Sequence, residues 1–245
     1  MGHVRIGASG WTYEHWKGAF YPPGVPPRQW LEFYAREFDT VEVNATFYRL
    51  LLESTFAGWR DRSPEGFLFA LKASRPITHL KKLLNADQEV GHFLSRAQLL
   101  SDRLGPLPFQ LPPRWPVDLG RLRRFLSLLP RRYRCAFEFR DPRWLTDAVF
   151  DALRDHGAAL VRVSAPGLPD ADVSTADFSY VRMHGDQRMY SSKYSEQTLR
   201  EWADAIARWA SSGQDVFVHF NNDAHGYAVE DARALRRIVA QRCSA

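Results

Sequence analysis

The chain has 245 residues, 45% hydrophobic and 25% charged, a balance that suits one soluble globular domain over residues 1–245 and excludes disordered, collagen-like and disulfide-stapled classes. Lys and Arg number 33 against 28 Asp and Glu, a formal charge of +5, enough to tolerate anionic ligands and too little for a nucleic-acid footprint. No stretch approaches the roughly 18 apolar residues of a membrane span, and Cys135 and Cys243 form no C-x-x-C pair; a cytoplasmic protein without disulfides, cysteine-bound zinc or a membrane partner is expected.

Short apolar runs alternate with amphipathic stretches along the whole chain. The first strand is expected over residues 4–9, followed by a long aromatic loop over 10–24. A helix near 28–37 leads to a second strand over 40–44, and a helix near 53–60 to a third over 67–72. The stripe Val90, Phe93, Leu94, Ala97 and Leu100 precedes a fourth strand over 106–111. Leu119, Leu122, Phe125, Leu126 and Leu129 mark a helix closed by Pro130, before a fifth strand over 134–139. A helix near 146–156 precedes the sixth, over 160–164. Residues 165–177 carry Pro166, Gly167 and Pro169 and no stripe, so the helix after the sixth strand is expected to be missing or short. A seventh strand over 180–184, a helix marked by Leu199, Trp202, Ile206 and Trp209, an eighth strand over 216–220 and a last helix carrying Ala228, Ala232, Leu235 and Val239 complete the chain. Eight such units in this length predict an α/β fold of the closed (β/α)8 TIM type. A doubly wound open sheet is the runner-up, but neither its usual Gly-rich turn nor a Walker A motif occurs.

Successive strand residues alternate faces. Glu42 and Asn44 therefore share a side, as do Glu138 and Arg140, Arg162 and Ser164, Arg182 and His184, and His219, Asn221 and Asp223, with Lys72 and Gln110 following the same rule. Val41, Val43, Phe137, Phe139, Val161, Val163, Val181 and Val218 are expected to face the helices. Charged groups in a covered strand are costly unless paired or aimed at a wet mouth, and these lie at the C-terminal halves of their strands, where barrel enzymes place their sites. Taken singly, each also fits a salt-bridged interior layer, such as Glu138 with Arg182. As a set over seven strands they point to a site.

Lys72, Arg140, Arg162 and Arg182 outnumber Glu42, Glu138 and Asp223, which favours an anion held by arginine forks. Asn221, Asn222 and Asp223 open a turn whose amides can cradle a phosphate, although Asp223 equally fits a helix cap. In the first loop, Trp11 and Tyr13 either close over a ligand or, with Trp16, plug the mouth. His184 is the candidate acid or base at the end of the seventh strand. His79, His92 and His156 are placed away from the mouth, no metal-binding spacing occurs, and no cofactor is identified.

The segments I-G-A-S-G-W from Ile6, F-Y-P-P-G from Phe20, F-D-T-V-E-V-N-A-T-F-Y-R from Phe38, F-Q-L-P-P-R-W from Phe109, A-F-E-F-R from Ala136, Y-V-R-M-H-G from Tyr180 and F-N-N-D-A-H-G from Phe220 resemble the YecE-like domain-of-unknown-function family, number seventy-two in its series. The likeness runs in order over nearly the whole chain. It implies a TIM-type barrel and supplies no activity.

Together these readings predict an enzyme of hydrolase type on a phosphorylated or otherwise anionic small molecule. Lys72, Arg140 and Arg182 would hold the anion, Glu42 or Glu138 would act as base and His184 as acid, with Asn44, Gln110, Trp11 and Tyr13 around the ligand. Two alternatives stand beside it: a glycoside hydrolase using Glu42 and Glu138 as a carboxylate pair, and a nucleic-acid-binding module, for which the Arg-rich stretch 121–134 reads more simply as a solvated helix face.

Overall fold

The computed structural model describes residues 1–243. All eight expected strands form: β1 (Val4–Ala8), β2 (Thr40–Val43), β3 (Leu68–Leu71), β4 (Leu107–Gln110), β5 (Cys135–Glu138), β6 (Ala159–Ser164), β7 (Phe178–Met183) and β8 (Asp215–Phe220). The helices are α1 (Trp30–Glu37), α2 (Ala45–Tyr48), α3 (Glu53–Arg62), α4 (Asp87–Ala97), α5 (Leu119–Ser127), α6 (Asp147–His156), α7 (Glu196–Ser211) and α8 (Tyr227–Cys243). Only the single-turn α2, too short for a hydrophobic period, lacked a sequence signal. Local chemistry sets several ends: Asp118 and Ser195 cap α5 and α7 through the amides of Arg121 and Thr198, and α6 stops at Gly157, whose φ of 70° favours glycine. No helix follows β6 among the described residues; the segment after it is coil. Among the described residues no helix is long and apolar enough to cross a membrane.

The strands pair in parallel as a six-stranded sheet, ordered β1-β8-β7-β6-β5-β4, and a two-stranded sheet, β2-β3. The pairing shows an α/β fold with a curled six-stranded parallel sheet and does not by itself close the (β/α)8 barrel expected from the sequence, and both interruptions have a local cause. Between β3 and β4, the amides of Leu71 and Ala73 donate to the carbonyls of Pro106 and Pro108 at 3.0 and 2.9 Å, but those prolines have no N–H to donate in return. Between β1 and β2, the Tyr34 hydroxyl of α1 stands in for the ladder, accepting from the Ala8 amide at 2.7 Å and donating to the Thr40 carbonyl at 3.0 Å. The two backbones are so close here that a Cβ at Gly7 would lie 2.1 Å from the Thr40 carbonyl oxygen.

The outer strand faces pack on the helices in one large apolar core that includes Phe109, Phe137, Val181 and Val218. The inner faces share a smaller cluster of Ala70, Ala136, Val161, Val163, Tyr180 and Phe217. Val161 and Val163 thus face inward, opposite to the expected phase. Arg162, expected in the interior, points outward, where Asp170 accepts from its Nε at 3.0 Å and its guanidinium lies 5.5 and 5.3 Å from the Trp202 and Trp209 rings. With no helix over β6, the coil after it supplies Asp170 and Asp172, so the outer face of this strand holds a charge that an apolar helix would exclude.

Candidate functional site

Directly above the small apolar cluster, inward side chains from both sheets form one polar layer. Arg182 of β7 is its centre, 1% exposed. Its Nη2 donates to Glu42 Oε1 at 2.7 Å, its Nη1 donates to Glu138 Oε2 and, at 3.3 Å, to Gln110 Oε1. Glu42 also accepts from Ser9 Oγ at 3.0 Å and from the Tyr180 hydroxyl at 2.8 Å. Glu138 accepts from Arg140 Nε at 2.6 Å. Burial, the largest single influence, would raise both carboxyl groups, but the charge of Arg182 together with the other positive and hydrogen-bonding groups around them outweighs it: Glu42 is held at about 2 and Glu138 well below the ordinary range. Two carboxylates and two guanidinium groups balance, both acids are ionised, and within the four groups Arg182 Nε is left without a hydrogen-bond partner.

The rim above differs in charge. Lys72, at the end of β3, donates from Nζ to Gln110 Oε1 at 2.8 Å and lies 4.4 Å from the Phe47 ring centre. Among the described residues it has no carboxylate within ion-pair distance. Burial, then the Arg182 charge, push its pKa down to about 7 against the pull of Glu42 and Glu138. Arg140 donates to the Tyr190 hydroxyl at 3.1 Å, and its Nη2 lies 3.5 Å from His184 Nε2. His184 is fully buried, with Nδ1 3.3 Å from Asn221 Nδ2, and burial lowers its pKa.

His79, assigned by the sequence to a position away from the mouth, belongs to this rim. Its ring meets Phe47 edge-on at 5.0 Å. Burial, then the charges of Lys72, Arg75 and Arg140, lower its pKa to about 4. Arg75 is exposed, and no acidic group pairs with it among the described residues.

The first loop is built mainly into the core. Trp11 packs edge-on against Trp59 at 5.4 Å, Trp16 is fully buried, and Tyr21 stacks on Trp30 at 4.6 Å. Asp223 ties this loop down, accepting from Trp16 Nε1 at 2.8 Å and meeting His15 Nε2 at 2.9 Å. Burial raises Asp223 to about 6, with Trp16 and His15 opposing. Asn222 is likewise internal, donating to the Ser192 carbonyl and to Asp231. Tyr13, whose hydroxyl donates to the Ser9 carbonyl at 2.6 Å, and Asn44 line a separate cleft of about 380 Å³ with Trp11, Arg28 and Arg49.

The structure thus gathers Glu42, Lys72, Gln110, Glu138, Arg140, Arg182, His184 and Asn221 in one place. It sets Trp11, Tyr13 and Asn44 in the neighbouring cleft, and Asn222 and Asp223 beneath the loops. Ser9, Tyr180, His79, Arg75 and Tyr190 were missed. Ser9 and Tyr180 share strand parity with the chosen residues and were legible; Arg75 and His79 reach the rim on a single helical turn after β3 and Tyr190 on a loop, and neither segment is long enough for a periodicity to encode its course. Among the described residues no three His, Cys, Asp or Glu groups are placed to hold a metal ion.

Comparison with known proteins gives a consistent answer. Two bacterial proteins of similar sequence are the UPF0759 protein YecE of Escherichia coli K12, 27% identical with 84% of this chain and 82% of that protein covered, and the UPF0759 protein YunF of Bacillus subtilis 168, 23% identical with 96% and 94% covered. Among solved structures, the DUF72 family protein TM1631 of Thermotoga maritima superposes with a TM-score of 0.88 at 27% identity, covering 97% of this chain and 99% of that one. The DUF72 family protein EF0366 of Enterococcus faecalis shares the fold at a TM-score of 0.84 and 18% identity, covering 97% and 95%. The family profile described as "Protein of unknown function DUF72" matches residues 5–245, and the chain belongs to that family.

Proposed function

We propose that the two sheets work together as a (β/α)8-type barrel whose mouth, at the C-terminal ends of the strands, binds an anionic small molecule, phosphorylated or carboxylated, and acts on it. The observation that carries this reading is the charge surplus at the rim. Glu42 and Glu138 are already engaged by Arg182 and Arg140, which leaves buried Lys72 and exposed Arg75 as cations without a carboxylate among the described residues. Guanidinium groups at Arg140 and Arg75 suit phosphate or carboxylate oxygens, which leaves the Lys72 amine for proton transfer.

Proton transfer is assigned to Lys72. Its pKa near 7 suits a group that must both accept and donate at neutral pH, whereas a carboxylate held near 2 is a weak base. In the hydrolase-type form of the reaction, neutral Lys72 takes the proton of the attacking water. His184, kept neutral and facing Arg140, orients that guanidinium. The carboxylate-pair alternative is disfavoured because a glycosidase needs one protonated carboxyl, and here both are driven ionised.

The test is thermal unfolding of the purified protein against inorganic phosphate, sulfate and a panel of phosphorylated and carboxylated metabolites. An anion at a hundredfold its Kd stabilises by about 2.7 kcal/mol, or roughly 5–10 °C in a domain of this size. Wild type should show this rise, Arg75→Gln a reduced one and Arg140→Gln none. The reading fails if no anion stabilises the wild type.

A further inference from the structure

Two buried cations lie side by side in the polar layer, and only one of them is neutralised. Arg182 is held by two carboxylates. Lys72, 9% exposed, has a single polar partner for its amine, the amide oxygen of Gln110, and the Phe47 ring over it. An amine in water-poor surroundings, beside another cation and without a carboxylate, is the environment that keeps the nitrogen lone pair available. Gln110 Oε1 also accepts from Arg182, which fixes it and so fixes the line along which it receives the Lys72 N–H. A lysine serving only as filler gains nothing from this placement, because an apolar side chain of the same length would occupy it without the cost of burying an amine.

The geometry points to Lys72 as a nucleophile that forms an imine with the carbonyl carbon of an anionic aldehyde or ketone, whose carboxylate or phosphate is held by Arg140. This rests on the reading of the mouth as an anion site and goes beyond it by naming a covalent bond and a carbonyl substrate. One proton leaves the ammonium for solvent, and the Nζ lone pair attacks the carbonyl carbon while the π pair moves to oxygen. The resulting carbinolamine loses its oxygen as water, taking up one proton from solvent and the second from Nζ, and the third remains on the iminium nitrogen. An ammonium and a carbonyl give an iminium and one water, with no oxidation or reduction. Water reverses the step to release product and regenerate the lysine.

The chain contains its own controls. It has five lysines, and the other four, Lys17, Lys81, Lys82 and Lys193, are exposed. The intact protein is incubated at pH 7 with sodium cyanoborohydride, which reduces an iminium to a stable secondary amine, and with either pyruvate or dihydroxyacetone phosphate. Peptide mass spectrometry then reads each lysine. Lys72 is expected to be modified about tenfold or more faster than the other four. The pyruvate arm alone identifies an oxo acid, and the dihydroxyacetone phosphate arm alone a phosphorylated carbonyl compound. Arg140→Gln should slow labelling of Lys72 about tenfold and leave the exposed lysines unchanged; Lys72→Met should remove the selective signal. If Lys72 is labelled no faster than the exposed lysines by either probe while anions still stabilise the fold, the imine is overturned and the anion site stands. If neither labelling nor stabilisation is seen, both fall.

Discussion

Arg162 and Arg182 sit on neighbouring strands and share a residue type and a place near the strand end, yet their surroundings are opposite. In the β6–β7 register Val163 pairs with Arg182 and Arg162 with Val181, so one arginine must point inward and the other outward. Arg182 has both oxygen-bearing partners it needs inside. Arg162 finds Asp170, Asp172 and two tryptophans outside. A charge in a strand therefore marks a site only when its phase is inward, and the phase of β6 is set by what covers each face. Here a coil with two aspartates covers the outer one.

Three substitutions sharpen this contrast. The largest effect is expected from Arg182→Ala, which leaves Glu42 and Glu138 buried without their shared counter-charge and should cost about 3–5 kcal/mol in urea denaturation; a loss under about 1 kcal/mol would mean the two arginines are equivalent. Next is Lys72→Met, which removes an inward cation lacking a carboxylate. Burial lowers Lys72 from 10.5 to about 7 in the folded state, so the unfolded chain binds more protons between those values and wild-type stability rises with pH across that window. Lys72→Met should then be more stable than wild type by about a few kcal/mol at pH 6, with the difference shrinking toward pH 10; a pH-independent difference contradicts the assignment. The smallest effect belongs to Arg162→Ala, whose partly solvated pairs and ring contacts are worth about 1 kcal/mol. Calorimetry showing a loss as large as that of Arg182→Ala would erase the distinction between the two faces.

Much of the site was legible because strand parity is local. Glu42, Gln110, Glu138 and Arg182 follow from counting in twos along single strands, and the coil after β6 follows from Pro166, Gly167 and Pro169. Pro106 and Pro108 carried a signal that the reading of 106–111 as an ordinary strand passed over, since a strand that lacks alternate amides cannot complete a ladder on that side. Parity could not supply the phase of β6, where an alternating run reads equally well in either direction until a partner strand and a cover are known.

The amino-acid order by itself determined the alternation of strand and helix, the missing crossover helix after β6 and the polar set near the strand ends, because each depends on residues within a turn or two of one another. Only the tertiary structure decided that Arg182 is neutralised while Lys72 is not, and that His79, Arg75 and Tyr190 come to the same rim. Those outcomes depend on groups far apart in the chain, 140 positions in the case of Arg182 and Glu42, and a charge takes its state from whichever neighbours the fold brings within a few ångströms.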